Sequence, residues 1–321
     1  MKDTRTKQGV FSYREGTIRY PHDKAIRMKN IAIIGSGVVG GATGRGFLLK
    51  GHSVVFHDVD DDVLHSLRQQ GFEATHIDNL DASQSDVFFF AVSTPTEKGR
   101  INLMHLKSAV RSLGKKLRNR EGYCMIVIRS TVPPKTTEDL LIPILEKESR
   151  KKAGEGFGVA VNPEYLREKS ADNDFNNPWA VTVGSLDRRS RLFMEDMFSD
   201  YGRDINHLSI REAEMQKYVH NLYNALKIAF FNEMRVVCER VDIAPESIFN
   251  VTAESAEGFW NKGYGMKDKG PFAGTCLPKD TQAFLSWSKK LKVRMDVLNG
   301  VIDANERYKE IWDKAHGMAA E

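Results

Sequence analysis

The residues with the clearest chemical potential lie in the stretch Gly274-Thr-Cys-Leu-Pro-Lys-Asp-Thr-Gln282. It sets one cysteine, Cys276, just ahead of a proline and a Lys-Asp pair. A proline suits the first turn of a helix, where its missing N–H is no loss, so Pro278 predicts a helix start. Cys276 then faces the positive end of that helix, with Lys279 three residues on. Both influences favour the thiolate, the form that attacks an electrophilic carbon. The plainer alternative is a small core residue, the usual fate of a cysteine. A Gly-Thr-Cys-Leu-Pro-Lys-Asp loop is an unusual place for one.

A second chemistry-bearing stretch lies near the other end of the chain. Lys29-Asn-Ile-Ala-Ile-Ile-Gly35 reads as a short apolar strand that runs into Gly35-Ser-Gly37-Val38-Val39-Gly40 and then a helix to Leu49. A second strand, Gly51 to Asp58, ends on an acid 18 residues past the third glycine. Alone, G-x-G-x-x-G is weak evidence; between strand and helix, with that acid, it is the dinucleotide fingerprint. The glycines let the backbone reach a pyrophosphate held at the helix N-terminus. Asp58 binds a ribose 2′-hydroxyl and repels a 2′-phosphate, so NAD is the expected cofactor.

Strands and helices then alternate, which predicts a doubly wound α/β sheet. Asp86–Val92, Tyr123–Arg129 and Val159–Asn162 read as strands, separated in part by a helix from Leu103 to Arg118. They end in the polar turns Ser93-Thr94-Pro-Thr96, Ser130-Thr131-Val-Pro-Pro134 and Pro163-Glu164-Tyr165-Leu166-Arg-Glu168. All three fall at the sheet edge where open α/β folds bind ligands.

Ser209-Ile-Arg-Glu212 matches a capping box and opens a helical run to about Val241, longer than a crossover needs. On it Lys217, Asn221 and Asn224 form one polar stripe flanked by apolar residues. The stripe reads either as a solvated face or as groups pointing into a cleft from a helix buried on most sides. Short helices follow, and Gly258 to Gly274 reads as a loop over the site.

Totals set the outer bounds. A chain of 321 residues with 41% hydrophobic and 28% charged residues is an ordinary globular composition, sized for two domains. The division reads as an N-terminal extension over residues 1–27, a cofactor domain over 28–208 and a helical domain over 209–321. A net charge of +4 gives no case for nucleic acid. No apolar run approaches a membrane span. Three cysteines, Cys124, Cys238 and Cys276, form no disulfide framework and fit a reducing compartment such as the cytoplasm. The nine histidines lack metal-type spacing, so no metal site is expected.

Taken together the motifs resemble the UDP-glucose/GDP-mannose dehydrogenase family. The resemblance runs from about Met28 to Ala304 through the glycine turn, Ser93-Thr-Pro-Thr96, Ser130-Thr-Val-Pro133, Asn162-Pro-Glu-Tyr-Leu-Arg-Glu168, Lys217-x-x-x-Asn221 and Cys276-Leu-Pro-Lys-Asp280. It implies a Rossmann domain, a helical middle domain that forms a homodimer around the long helix, and four-electron oxidation of a sugar primary alcohol to a carboxylate with two NAD. It further implies Cys276 as nucleophile, with Lys217 and Asn221 stabilising an alkoxide. Glu164, Thr131 and Asp280 handle protons and water, Asp280 alternatively capping its helix. Thr94, Thr96, Glu168 and Lys279 touch the cofactor, and Tyr165, Leu166, Asn224 and Gly274 the sugar or nucleotide-sugar substrate. Two departures stand out. The chain stops where the family continues into a nucleotide-gripping C-terminal domain, and the family's Gly-Gly before the cysteine is Ala273-Gly274 here. The rival readings are a two-electron alcohol or hydroxyacid dehydrogenase, a partner subunit without activity of its own, and the same chemistry on a smaller sugar or nucleotide phosphate.

Overall fold

The run Asn30–Ile34 (β1) is apolar, with four of its five residues buried. A strand covered on both faces belongs inside a parallel sheet sandwiched by helices. The computed structural model, which describes residues 28–317, places it there. The extension expected over residues 1–27 lies outside the described residues.

The chain follows β1 with α1 (Val38–Leu49), β2 (Ser53–Asp58), α2 (Asp61–Gln69), β3 (Ala74–His76) and β4 (Val87–Phe90). A small hairpin of β5 (Thr96–Glu97) and β6 (Arg100–Ile101) leads to α3 (Met104–Leu117) and β7 (Cys124–Ile128). After a π-helical turn over Thr137–Leu141 come α4 (Ile142–Ser149), β8 (Phe157–Val161), α5 (Ala171–Asn176), β9 (Val181–Ser185), α6 (Arg188–Phe198) and β10 (Ile205–Leu208). The main strands form one sheet in the order β10-β9-β8-β7-β4-β1-β2-β3. From β3 through β8 the pairs are parallel. Strand β9 pairs antiparallel to β8, and β10 lies parallel to β9. The doubly wound α/β expectation thus agrees with the structure, with its switch in strand order between β1 and β4. The reversal at β9 is new, because a buried apolar run carries no record of its direction.

The two-residue period of the strands divides the core. Ala32, Ile34, Phe88, Phe90, Ile126 and Ile128 face one side, packed with Leu106, Val110 and Leu113 of α3. Ile31, Ile33, Val87, Phe89, Met125 and Val127 face the other, packed with Phe47 of α1 and Met194 of α6. Phe88, Phe89 and Phe90 are fully buried; truncating one such ring costs about 3–5 kcal/mol. This tight double core holds the strand tips, and hence the turns beyond them, in fixed positions.

The described residues fall into two compact units that part between Lys217 and Tyr218, inside the 31-residue helix α7 (Ile210–Arg240). Ser209 and Glu212 form the expected capping box: the Ser209 N–H donates to Glu212 Oε2 at 2.7 Å, and the Glu212 N–H to Ser209 Oγ at 3.3 Å. Beyond α7 the second unit is wholly helical, with α8 (Pro245–Ser255), α9 (Glu257–Trp260), α10 (Leu277–Lys290) and α11 (Asp296–Ala315). Its small core gathers Val237, Val293 and Met295 against Phe284, Leu285 and Leu298. The expectation that α7 is buried on most sides is corrected here. Residues 221–230 are all exposed, Leu222, Leu226 and Ile228 by more than half. An apolar pattern registers that cover is needed; it does not say whether the same chain supplies it.

At the tip of β2, His57 is 4% exposed and its Nδ1 has no partner. Its carbonyl oxygen accepts from the Gly35 N–H at 2.9 Å and from Ser36 Oγ at 3.1 Å, so the residue anchors the glycine turn through its backbone. Burial, helped by the charge of Lys116, pulls the imidazole from 6.5 down to about 4. A depressed histidine takes its proton first in the unfolded chain. Its neutral burial therefore stabilises the fold fully above pH 6.5, and that stability drains away as pH falls toward 4. Between pH 7 and pH 5 wild type is expected to lose roughly 2 kcal/mol more than His57→Leu in urea unfolding. Parallel losses in the two proteins would contradict the assignment.

Candidate functional site

The turn after β1 is built for close approach. Gly35 has φ +86, a region other residues rarely adopt, and a Cβ there would sit 2.8 Å from the Ala91 backbone. A Cβ at Gly40 would lie 1.9 Å from the Gly35 carbonyl oxygen, so that glycine lets α1 pack onto the turn. At Gly37, the N-cap of α1, a Cβ would meet nothing within 4 Å. The free N–H groups of α1 open there, and its first turn carries no acidic side chain to oppose an anion.

That helix end forms the floor of a cleft of about 720 Å³ along the C-terminal edge of the parallel strands. Gly35, Gly37, Val38, Val39, Asp58, Thr94, Thr131 and Glu164 all line it. The Asp58 carboxylate accepts from the Ser36 N–H at 2.6 Å, and from the N–H groups of Val59 and Asp60 at 2.8 and 3.1 Å. It fastens the glycine turn to the end of β2, while its remaining lone pairs suit a ribose hydroxyl. The turn, the open helix end and this carboxylate fit NAD.

Across the cleft the polar turns are stitched together. Thr94 Oγ1 donates to the Thr131 carbonyl at 2.8 Å, and Ser130 Oγ to the Val92 carbonyl at 2.6 Å. Asn162, at the tip of β8, donates to the Thr182 carbonyl at 2.8 Å and accepts from Arg129. Arg129 is 5% exposed, and burial lowers its guanidinium to about 10, opposed chiefly by the charge of Glu164. Glu164 in turn meets Lys217 of α7. The ammonium stands 2.9 Å from Glu164 Oε1 and also donates to the Glu164 carbonyl oxygen. Lys217 is 6% exposed and the Glu164 side chain 14%, so the contact is largely shielded from water and correspondingly strengthened. A buried ammonium with one carboxylate partner is the kind of group that can stabilise a developing alkoxide.

Tyr165 donates to Gln216 Oε1 and accepts from Thr182 Oγ1 at 2.9 Å, and the Leu166 N–H donates to Glu164 Oε2 at 2.6 Å. Both residues line a separate small cavity of about 30 Å³ beside Arg129 and Tyr201. Thr96 stands in strand β5 and Glu168 in the short turn Glu168–Ser170; both are exposed and neither lines the nucleotide cleft.

In the second unit Cys276 is the N-cap of α10 and is exposed, with Pro278 in the first turn as the sequence pattern predicts. Cys124 and Cys238 are buried. Lys279 is paired with Asp280 at 2.8 Å rather than left free beside the thiol, and the Asp280 N–H donates to the Cys276 carbonyl at 2.9 Å. The loop leading to the cysteine is fastened to α11. Asn305 accepts from the Phe272 N–H at 2.8 Å and donates to its carbonyl at 3.0 Å, while Tyr308 donates to Asp268 at 2.7 Å. Gly274 has φ +85 and open space around its α-carbon. Asn221 and Asn224 are exposed on α7, Asn224 lying 3.2 Å from His220 Nε2.

Sequence reasoning passes over Ser36, Arg129, Asn162 and the buried Glu214 of α7. It also passes over Ser108 and Ser112 of α3, which line the nucleotide cleft. Asn162 carried a clue, standing directly before the Pro-Glu pair at a strand tip. The others depend on contacts between distant segments that spacing does not reveal.

Comparison with known proteins places these features. Residues 61–201 match the NAD binding domain of the UDP-glucose/GDP-mannose dehydrogenase family, and residues 211–307 its central domain. GDP-mannose 6-dehydrogenase of Pseudomonas putida is 33% identical over 297 residues, covering 86% of this chain and 68% of that enzyme. UDP-glucose 6-dehydrogenase of Haloferax volcanii is 31% identical over 301 residues, with 86% and 69% covered. A crystal structure of a ternary complex of GDP-mannose dehydrogenase from Pseudomonas aeruginosa superposes with a TM-score of 0.83 at 28% identity, covering 89% of this chain and 71% of that one. The chain belongs to the UDP-glucose/GDP-mannose dehydrogenase family. It is an NAD-dependent dehydrogenase acting on CH–OH groups, and it spans about two thirds of the length of these relatives. Among the described residues no helix is long and apolar enough to cross a membrane.

Proposed function

We propose that this protein oxidises the primary alcohol of a nucleotide sugar to the carboxylate in two two-electron steps, with Cys276 as the covalent nucleophile. The observation that carries the reading is the buried contact between Lys217 and Glu164, at 2.9 Å on the rim of the cleft that fits NAD. When bound, NAD supplies the hydride acceptor for each step. The Lys217 ammonium stabilises the alkoxide as the alcohol gives up its proton to Asp280, with Asn221 as a second donor; such a donor contributes on the order of 3 kcal/mol.

The aldehyde carbon cannot yield a second hydride until it is tetrahedral. Cys276 sulfur adds to it, forming a C–S bond, and the former carbonyl oxygen takes a proton to give a thiohemiacetal. Loss of the second hydride to a second NAD, and of that proton to Asp280, leaves a thioester. A water held by Glu164 and Thr131 then attacks the thioester carbon, Glu164 taking its proton, and the C–S bond breaks to return the thiol. Asp280 exchanges protons with the sulfur. Exposure at a helix N-cap supports the role of Cys276, since an attacking sulfur has to be reachable.

The bare apolar face of α7 supports a homodimer. Val219, Leu222, Tyr223, Leu226 and Ile228 are each more than half exposed, and a soluble protein seldom leaves such a patch uncovered. Sedimentation velocity is expected to give a species of twice the chain mass, and Leu226→Glu a monomer; a wild-type monomer at micromolar concentration would contradict the dimer.

The oxidation itself is tested by counting NADH per substrate consumed with GDP-mannose and UDP-glucose. Wild type is expected to form two NADH per acid released, and Cys276→Ser to stop at the aldehyde or stall. One NADH per substrate in both proteins would show a two-electron dehydrogenase instead.

A further inference from the structure

Glu214 is 2% exposed and lies three residues before Lys217 on α7. A carboxylate so deeply buried has to be matched by donors. Its two oxygens are used separately: Oε2 accepts from the Lys135 N–H at 2.6 Å, and Oε1 from the Thr137 N–H at 2.8 Å. Both donors belong to the segment that leaves the tip of β7 and enters the helical run from Thr137 to Ser149. That run has no side-chain cap of its own at Thr136. The cap comes from α7, 77 residues further along the chain.

The capped segment is stiff. Between Thr131 and Lys135 lie Val132, which is 2% exposed, and the two fixed-φ residues Pro133 and Pro134. Lys135 itself has φ +75, a left-handed conformation that a lysine does not choose unaided. At the other end, Thr94 and Ser130 bind the strand tips together. The position of Lys135 is therefore passed along a short, rigid arm to Thr131, which lines the nucleotide cleft. On the same face of α7, Arg211 pairs with Glu138, and Lys217 pairs with Glu164. One helix face thus grips the turn that carries Thr131 and the turn that carries Glu164.

We propose that Glu214 is a positioning residue for the oxidation, holding Thr131 in register with the Lys217–Glu164 pair by fixing the left-handed turn at Lys135. The proposal rests on the reading given above, in which Thr131 and Glu164 hold the attacking water. Burial also raises the Glu214 carboxyl above its ordinary range, against the pull of the Thr137 and Lys135 donors. The site therefore retains an acid that an apolar residue could replace if bulk alone were needed.

The test is Glu214→Gln, whose amide keeps the shape but offers one acceptor to two donors. In hydrogen-exchange mass spectrometry without substrate, residues 130–141 are expected to exchange roughly tenfold faster, while β1 is unchanged. With substrate, kcat is expected to fall roughly tenfold at nearly constant KM for NAD, since the dinucleotide is held by the glycine turn and Asp58. Placed on Thr131→Ala, the same change is expected to cost less than about threefold, because the residue it acts through is gone. Lys135→Gly takes the left-handed turn freely and is expected to restore part of the kcat lost in Glu214→Gln. Should Glu214→Gln not fold, Glu214→Asp keeps both acceptors but withdraws them by one methylene, and is expected to give the same pattern more weakly.

Unchanged exchange over residues 130–141 overturns the proposal whatever the turnover. So do kcat effects of Glu214→Gln and Thr131→Ala that simply multiply. If Thr131→Ala alone leaves kcat intact, the role given to Thr131 fails and Glu214 has nothing to act through. That single-variant rate separates failure of the reading from failure of Glu214.

Discussion

One buried ammonium organises the first unit's site. Lys217 reaches the tip of β8 and binds Glu164 twice, through its carboxylate and its backbone carbonyl oxygen. With the lysine 6% exposed, little water reaches its ammonium, and removing the carboxylate would leave that charge buried without a counter-ion. Breaking a buried pair in this way generally costs about 3–5 kcal/mol. On the same helix, Glu214 and Arg211 meet partners of their own on the segment after β7.

Around this pair the strand tips are tied laterally, Thr94 to Thr131, Ser130 to Val92, Arg129 to Asn162 and Asn162 to Thr182. Each tie joins neighbouring strands just past the double core, where the backbone is already held. The turns are thereby fixed before any ligand arrives, so a bound substrate need not supply the energy of ordering them. The opposite wall follows the same economy. Asp58 holds the glycine turn through the Ser36 N–H, its carboxylate being fixed by the N–H groups of Val59 and Asp60, and the carbonyl of buried His57 holds the turn through the Gly35 N–H and Ser36 Oγ. In the second unit, Asn305 and Tyr308 of α11 hold the loop that leads to Cys276.

Much of this was legible in the chain. Gly35-x-Gly-x-x-Gly40 with Asp58 carries its own geometry, because φ above zero at Gly35 and a carbonyl 1.9 Å from a would-be Cβ at Gly40 admit no other residue. The capping box at Ser209 and the helix start at Pro278 follow from local rules that tertiary packing did not override. What escaped depends on distant partners. The reversal of β9 is set by how it pairs with β8, and Glu214 gains its meaning from two N–H groups far back along the chain. Lys217, Asn221 and Asn224 share a stripe, yet only the first is buried, because helical spacing gives a common face and not a common depth.

The account turns on Lys217 stabilising charge in the first oxidation step. Stopped-flow detection of the first NADH formed, with NAD affinity measured alongside, tests this most directly. For Lys217→Met the account predicts a first-turnover rate lower by roughly 100-fold or more, with NAD affinity within about twofold of wild type. A rate close to that of wild type would contradict it.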